Sequence, residues 1–223
     1  MNEEDLKLNL SIIRAPLLFV FLIWLIYWVE IQFGFNFNSY GVYPRKVSGL
    51  VGIVGFHFIH SDTNHLFNNS IPLLVLMSSL ILFYKDVWWK VMLYGGLLTG
   101  LITWIIARPS YHIGASGLVY LLFSFVCFSG IIKKHYRLVA LSLIIIFSYG
   151  SMIWFILPIK KGMSWEGHLA GFLVGLVFAY LYRKKGLIKE EYTFQKNEFD
   201  ELFDEHGNLL ESVSEMNEDS QEN

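Results

Sequence analysis

Long apolar runs separated by short polar segments dominate the chain from about residue 15 to residue 185. Each run is close to the roughly 20 apolar residues that an α-helix needs to cross a bilayer. The first run lacks a small-residue cleavage site, so we expect it to be a span and not a cleaved signal peptide. The pattern predicts six transmembrane helices with the approximate bounds 15–33, 65–84, 87–107, 116–132, 137–158 and 165–182.

The segment between the first two predicted spans, residues 34–64, fits neither a span nor a polar loop. It mixes aromatic residues with glycines and histidines. A long connection without a regular element is usually either functional or disordered, and the aromatic content argues against disorder. We therefore expect a folded segment that lies in the membrane interface.

Basic residues are more frequent on one side of the six predicted spans than on the other. An even number of spans places both termini on that side, and the positive-inside rule makes it cytoplasmic. Residues 1–14 are then a short cytoplasmic segment, and residues 186–223 an acidic cytoplasmic tail that we expect to be disordered. Between them, residues 15–185 form one six-span domain.

The composition agrees with an integral, multi-pass membrane protein. Hydrophobic residues make up 54% of the chain and aromatic residues 17%. The net charge of −2 comes from acid concentrated in the tail, so it indicates no nucleic-acid partner. The lipid bilayer is the partner that this composition predicts. The single cysteine, Cys127, excludes a disulfide framework within the chain.

Polar residues inside predicted spans are expensive and therefore informative. We measure depth from the basic residue that closes each span on the cytoplasmic side, at a rise of about 1.5 Å per helical residue. Ser116 then lies roughly 25 Å from that side, His168 roughly 22 Å and Asn69 roughly 24 Å. His65 lies one turn above Asn69 on the same helical face. Three spans thus bring a serine, a histidine and an asparagine to one layer, which is where a shared polar site would be built.

These residue types fit nucleophilic chemistry. A serine hydroxyl is a weak nucleophile unless a base removes its proton, and His168 is the candidate base for Ser116. Glu166 is expected to point from a different helix face, so we favour a Ser–His dyad without a third acidic member. The Ser116 backbone N–H, His65 and the Asn69 amide are candidate donors to a tetrahedral oxyanion.

Other residues are expected to support this site. Tyr120 follows the serine by one turn and can stack against the candidate base. Gly114 and Gly117 flank the serine, so they let the preceding loop bend inward and leave room for a substrate backbone. Gly167 and Gly171 belong to a small-residue stripe that allows close helix packing.

Three motifs lie on the second, fourth and sixth predicted spans: His65-x-x-x-Asn69, Gly114-Ala115-Ser116-Gly117 with Tyr120, and Gly167-His168-Leu169-Ala170-Gly171. On these motifs the chain resembles, over roughly residues 41–182, the rhomboid intramembrane serine proteases. The resemblance implies an all-α membrane protein, a six-helix rhomboid-like bundle with a large interfacial first external loop. It also implies cleavage of single-pass membrane proteins in or near their transmembrane segment through an acyl-enzyme, with no metal or cofactor.

By motif, Ser116 looks like the nucleophile and His168 like the base, with His65 and Asn69 as oxyanion stabilisers. In the first loop, the family often has a Trp-Arg pair where this chain has Tyr43-Pro44-Arg45, so Arg45 is its candidate loop arginine. His60 resembles a structural loop histidine, and Gly167 replaces a common alanine. The minimal six-span core fits a bacterial cytoplasmic membrane, with the site opening to the external side.

Other interpretations of the same residues exist. Ser116 alone would be read as a helix cap, and a purely structural role of His65 and Asn69 as caps of the second span is the lesser alternative. A metal site built from His57, His60 and His65 lacks carboxylate or cysteine support. A catalytically inactive rhomboid-like protein that binds membrane clients is the main alternative function. A six-span transporter would need polar residues along a through-path, whereas here they share one layer.

Overall fold

A computed structural model describes residues 10–187, 199–204, 206–208 and 210. Within these residues the named secondary-structure elements are helical, and Val42 and His112 form an isolated β-bridge. The α-helices are α1 Leu10–Phe33, α2 Gly52–Gly55, α3 Thr63–Phe83, α4 Trp88–Ile106, α5 Ser116–Lys133, α6 Tyr136–Tyr149 and α7 Trp165–Leu181. Short 3-10 helices cover Phe37–Tyr40, Val47–Leu50, Gly150–Ile156 and Asp200–Leu202.

Five helical stretches are long and apolar enough to cross a membrane: α1, α3, α4, α5 and α6 with its 3-10 continuation to Ile156. The sixth predicted span is the apolar helix α7, which is shorter, at 17 residues. The prediction of an all-α membrane protein is confirmed by these helices. The predicted segment 1–14 falls within the described residues only from residue 10 onward.

The fifth predicted span, 137–158, is not a continuous α-helix. The α-helix ends at Tyr149, and the chain continues as a 3-10 helix from Gly150 to Ile156. Glycine is a poor α-helix former, and the sequence Gly150-Ser151 stands at the change of geometry. A 3-10 helix pairs each N–H with a carbonyl three residues back, so it presents its carbonyls in different directions from an α-helix.

Helix α5 is the centre of the bundle. It packs against α3, α4, α6 and α7, and nearly three quarters of its length is buried. Its contact with α7 is made through glycines, because a Cβ on Gly171 would overlap the carbonyl oxygen of Gly117, and one on Gly175 would overlap that of Leu121. The two helix backbones therefore approach as closely as the missing side chains allow.

The segment between α1 and α3 is folded and packs on α4. A Cβ on Gly100 of α4 would overlap the carbonyl of Ile53, so this packing also depends on a glycine. Arg45 fastens the segment to the end of α4, where its Nη1 donates to the carbonyls of Ile105 (3.1 Å) and Ala107 (2.9 Å). These are carbonyls that the end of a helix leaves without partners.

Residues 190–223 form a second compact unit, of which only a short part is described. That part contains a turn in which Asp204 Oδ1 accepts hydrogen bonds from the backbone N–H groups of His206 and Asn208, both at 2.8 Å. Most of the tail that the sequence predicts to be disordered lies outside the described residues.

The glycine contact between α5 and α7 predicts a position-specific loss of stability. In Gly171→Ala the new methyl group meets a backbone carbonyl, which cannot rotate away, so the helices must separate. We expect a loss of about 1–3 kcal/mol in the free energy of unfolding. The measurement is thermal unfolding of the purified protein in detergent micelles.

Gly150→Ala is the matched control, because its Cβ would find only an ordinary contact, 3.5 Å from Ile146 Cγ2. Equal unfolding temperatures for the two variants would contradict the role of the close approach.

Candidate active site

Ser116 and His168 are brought into hydrogen-bond contact by α5 and α7. Ser116 is the first residue of α5, and His168 lies in the first turn of α7. His168 Nε2 and Ser116 Oγ are 2.9 Å apart. The other ring nitrogen, Nδ1, lies 2.9 Å from the carbonyl oxygen of Phe155, which only accepts hydrogen bonds. Nδ1 therefore carries the proton in the neutral ring, and Nε2 is free to accept the proton of the serine.

Tyr120 holds the face of the histidine ring. The two rings stack with centroids 4.3 Å apart and planes inclined by 10°. The Tyr120 hydroxyl donates to the carbonyl of Met152 at 2.8 Å, so the tyrosine is itself fixed. Both carbonyl acceptors, on Met152 and Phe155, come from the 3-10 helix that follows α6. Sequence analysis missed them, because a backbone carbonyl has no residue-type signal.

Glu166 does not take part in the dyad. Its carboxylate is bound by Arg108, whose Nη1 lies 3.0 and 2.9 Å from the two oxygens. The expected orientation of Glu166, away from the candidate base, agrees with this pairing. The histidine is thus oriented by a carbonyl and an aromatic ring instead of a carboxylate.

Gly114 brings His65 next to the serine. Its φ of +116° lies in a region that favours glycine. A Cβ on Gly114 would lie 2.6 Å from His65 Nε2 and 3.7 Å from Ser116 Oγ. The imidazole and the hydroxyl therefore border the same small space, which a side chain at position 114 would fill.

The proton on His65 is set by two neighbouring side chains. Ser61 Oγ donates to Asp62 Oδ2 at 2.7 Å and lies 3.1 Å from His65 Nδ1. Because the only hydroxyl hydrogen is used on the carboxylate, Nδ1–H must donate to Ser61. In this arrangement Nε2 of the neutral ring faces Gly114 without a proton. His65 can donate there only if Ser61 turns its hydroxyl towards Nδ1 or if the ring gains a second proton.

Two further donors lie at this end of the bundle. Asn69, one turn along α3 from His65, is 5% exposed, and its Nδ2 has no partner within the described part of the chain. The first i to i−4 bond of α5 runs from Val119 N to Ala115 O, so the N–H of Ser116 is left without an intrahelical acceptor. Both groups are amides, which donate regardless of pH.

Two buried histidines anchor the surrounding loops. His60 Nε2 accepts the N–H of Ala115 at 3.3 Å, directly before the serine, and His57 Nε2 lies 3.1 Å from the carbonyl of Gly96. Burial lowers the pKa of His57 to about 4 and that of His60 to about 3. Both rings are therefore neutral in the folded protein at pH 7, and each has one nitrogen committed to a backbone group.

No group of three or more His, Cys, Asp or Glu side chains among residues 10–187 and the described tail residues is placed to hold a metal ion.

A polar cavity of about 340 Å³ reaches His60 and Ser61, close in sequence to His65. Its other lining residues come from α1 and from the chain that follows it: Tyr27, Glu30, Ile31, Gly34, Phe35, Asn36 and Asn38.

Comparison with known proteins gives consistent matches. The family model described as Rhomboid domain matches residues 47–185. An uncharacterized protein of Mycobacterium tuberculosis (strain ATCC 25618 / H37Rv) is 33% identical over 176 residues, or 74% of this chain and 72% of that protein. An uncharacterized protein of Mycobacterium leprae (strain TN) is 29% identical over 190 residues, 78% and 74% of the two chains. The family match spans α2 to α7 and so includes every site residue predicted from the sequence except Arg45.

The buried neutral histidines predict that stability falls in mild acid. Their folded pKa values lie below the ordinary value of 6.5, so only the unfolded chain takes up protons as the pH drops. Above about pH 6.5 these histidines do not lower the free energy of unfolding. Below it, each of them lowers the free energy of unfolding by about 1.4 kcal/mol per pH unit. We expect the unfolding temperature in detergent to be level from pH 8 to 6.5 and to fall towards pH 5.

His57→Gln can place an amide N–H near the position of Nε2, so it keeps a donor for the Gly96 carbonyl but removes one titrating group, and its decline in acid should be shallower. His206→Asn, on the exposed turn of the tail, is the control and should follow wild type. If wild type and both variants show the same dependence of unfolding temperature on pH, the loss of stability in acid is not due to His57.

Proposed function

The chain belongs to the rhomboid family, and from that premise we propose that it is an intramembrane serine endopeptidase that cleaves single-pass membrane proteins. The predicted rhomboid-like helical bundle is confirmed by the family match together with the described helices. The chain is accordingly an integral membrane protein. The observation that carries the proposed activity is the 2.9 Å contact between Ser116 Oγ and a His168 ring whose other nitrogen is already bound.

The reaction follows from this proton arrangement. Ser116 Oγ attacks the scissile carbonyl carbon while its proton passes to His168 Nε2. The imidazolium that forms is stabilised by the Nδ1–H bond to the Phe155 carbonyl. The peptide C–N bond then breaks, Nε2 returns the proton to the leaving amine, and an acyl-enzyme remains. Water attacks the ester with the same base and regenerates the serine.

The negative oxygen of the tetrahedral intermediate needs donors that are in place before the reaction. The Ser116 backbone N–H and the unpartnered Asn69 Nδ2 are such donors. His65 joins them when the Ser61 hydroxyl leaves Asp62 for Nδ1 and frees Nε2 to carry the proton. The two amides donate without any such rearrangement, so we assign to them the part of the oxyanion stabilisation that does not depend on the Ser61 hydroxyl.

Hydrolysis also needs water at a site below the membrane surface. We propose that water enters by way of the polar cavity that reaches His60 and Ser61, since its walls offer carboxylate, amide and hydroxyl groups. In the orientation that we expect from the basic residues, with both termini cytoplasmic, this cavity faces the external side of a bacterial cytoplasmic membrane.

The dyad is tested by removing each member. We expect Ser116→Ala and His168→Ala each to lower kcat at least about 10³-fold, because nucleophile and base act as a unit. Purified proteins in detergent are incubated with a single-pass substrate whose transmembrane segment contains helix-weakening Gly or Pro residues. In parallel, a fluorophosphonate probe measures covalent labelling of the serine.

Ser124→Ala is the control, since it removes a buried serine further along α5 and should change neither readout. Equal cleavage by wild type and both dyad variants would show that the dyad is wrong. A wild-type protein that binds single-pass clients but neither cleaves nor takes the label would favour the client-binding alternative.

The assignment of Asn69 as an oxyanion donor predicts that its removal changes kcat and not KM. Removing one preorganised donor in Asn69→Ala should lower kcat about 10²-fold or more and leave KM nearly unchanged, because the contact forms only in the transition state. Asn68→Ala, at the neighbouring exposed position of α3, is the matched control. A raised KM at constant kcat would instead place Asn69 in substrate binding.

A further inference from the structure

The 2.9 Å contact between serine and histidine joins two segments that are distant in sequence. Ser116 follows the connection between α4 and α5, and His168 follows the connection that leads into α7. The glycine contact of α5 with α7 fixes the helices from Gly117 and Gly171 onward. It lies on one side of the dyad, so it does not by itself fix the two connections on the other side.

An ion pair joins the two connections there. Glu166, two residues before the histidine, is 2% exposed. Its carboxylate accepts three hydrogen bonds from Arg108: from the backbone N–H at 3.2 Å and from Nη1 at 3.0 and 2.9 Å. Arg108 Nη2 also donates to the carbonyl of Met163 at 2.6 Å. One arginine before α5 thus holds both a side chain and the backbone at the start of α7.

A hydrogen bond forms a second link beside the ion pair. His112 Nδ1 lies 2.6 Å from Ser164 Oγ, and His112 Nε2 lies 3.0 Å from the carbonyl of Arg108. The carbonyl accepts only, so Nε2 carries the proton and the Ser164 hydroxyl donates to Nδ1. Ser164 stands at the N-cap of α7, yet its hydroxyl makes no cap bond and is used for this link instead.

The two histidine–serine pairs are offset by four residues on each segment. His112 precedes Ser116 by four residues, and Ser164 precedes His168 by four, so both pairs span 52 positions. In the outer pair the histidine comes first in the sequence, whereas in the dyad the serine comes first. The outer pair therefore sets the separation of the same two segments whose inner residues form the dyad.

We propose that Arg108, Glu166, His112 and Ser164 are positioning residues, which hold Ser116 and His168 at reacting distance without touching the substrate. This inference rests on the proposed protease function. A misplacement of about 1 Å between reacting groups can lower a rate about 10²-fold, so a link that only fixes the distance has a large kinetic effect. It predicts slower attack by the serine with unchanged substrate affinity.

The test uses the full-length protein in detergent and two mild variants, Glu166→Gln and Ser164→Ala. Glu166→Gln leaves the partner arginine able to reach water, since the Arg108 side chain is 40% exposed. The rate constant of fluorophosphonate labelling, the fraction of molecules finally labelled, and kcat and KM on a single-pass substrate are measured. We expect Glu166→Gln to lower the labelling rate constant and kcat about 10-fold and the double variant about 10²-fold, with KM and the final labelled fraction unchanged.

Arg183→Gln is the matched control, because Arg183 binds a carbonyl at the opposite end of the same helix, that of Tyr180, and should leave all four quantities unchanged. A lower final labelled fraction with an unchanged rate constant would mean that the links only stabilise the fold, and would overturn the proposal. Unchanged rate constants would overturn it as well. A wild-type protein that takes no label would instead refute the proposed protease function, so the two failures are distinguishable.

Discussion

The close approach of α5 and α7 is the constraint on which the rest of the site depends. A methyl group on Gly171 would overlap the carbonyl of Gly117, the residue directly after the serine. Because that carbonyl belongs to helix backbone, no side-chain rotation can relieve the overlap. The contact therefore lets a hydroxyl at the first residue of α5 meet an imidazole in the first turn of α7. Lipid is as apolar as the side chains that face it, so close backbone packing of this kind is a main source of helix association in a membrane.

A neutral imidazole in a buried place needs partners for both nitrogens, and this protein supplies one of them from the backbone. The carbonyl of Phe155 fixes the tautomer as a carboxylate would, but it brings no negative charge into the bundle. An unpaired buried carboxylate would be heavily penalised there, and Glu166, the acidic residue nearest in sequence, is instead neutralised by Arg108. A carbonyl partner for the histidine therefore avoids the cost of burying an unpaired negative charge where the dielectric constant is low.

The helical fold could be predicted from the sequence, and the residues predicted for the candidate site include the serine and the histidine that lie in contact. The depth of Ser116 and His168 in their spans follows from helical rise alone, and the two residues do meet. The 3-10 helix after Tyr149 was not predicted, because apolar periodicity does not distinguish it from a continuing span. Its carbonyls, and the pairing of Arg108 with Glu166 across 58 positions, depend on tertiary geometry. The role of Arg45 as an anchor for the end of α4 likewise became visible only with its acceptors.

The elements around the dyad differ greatly in how firmly they are packed. Of the residues of α5, 72% are buried, whereas the figure for α6 with its 3-10 continuation is 11%. The group that orients His168, the Phe155 carbonyl, thus belongs to the stretch with the least support from the bundle. The separation of serine and histidine therefore depends on contacts that join their two segments directly: the glycine contact of α5 with α7, the stacking of Tyr120 on His168, and the polar links of Arg108 and His112.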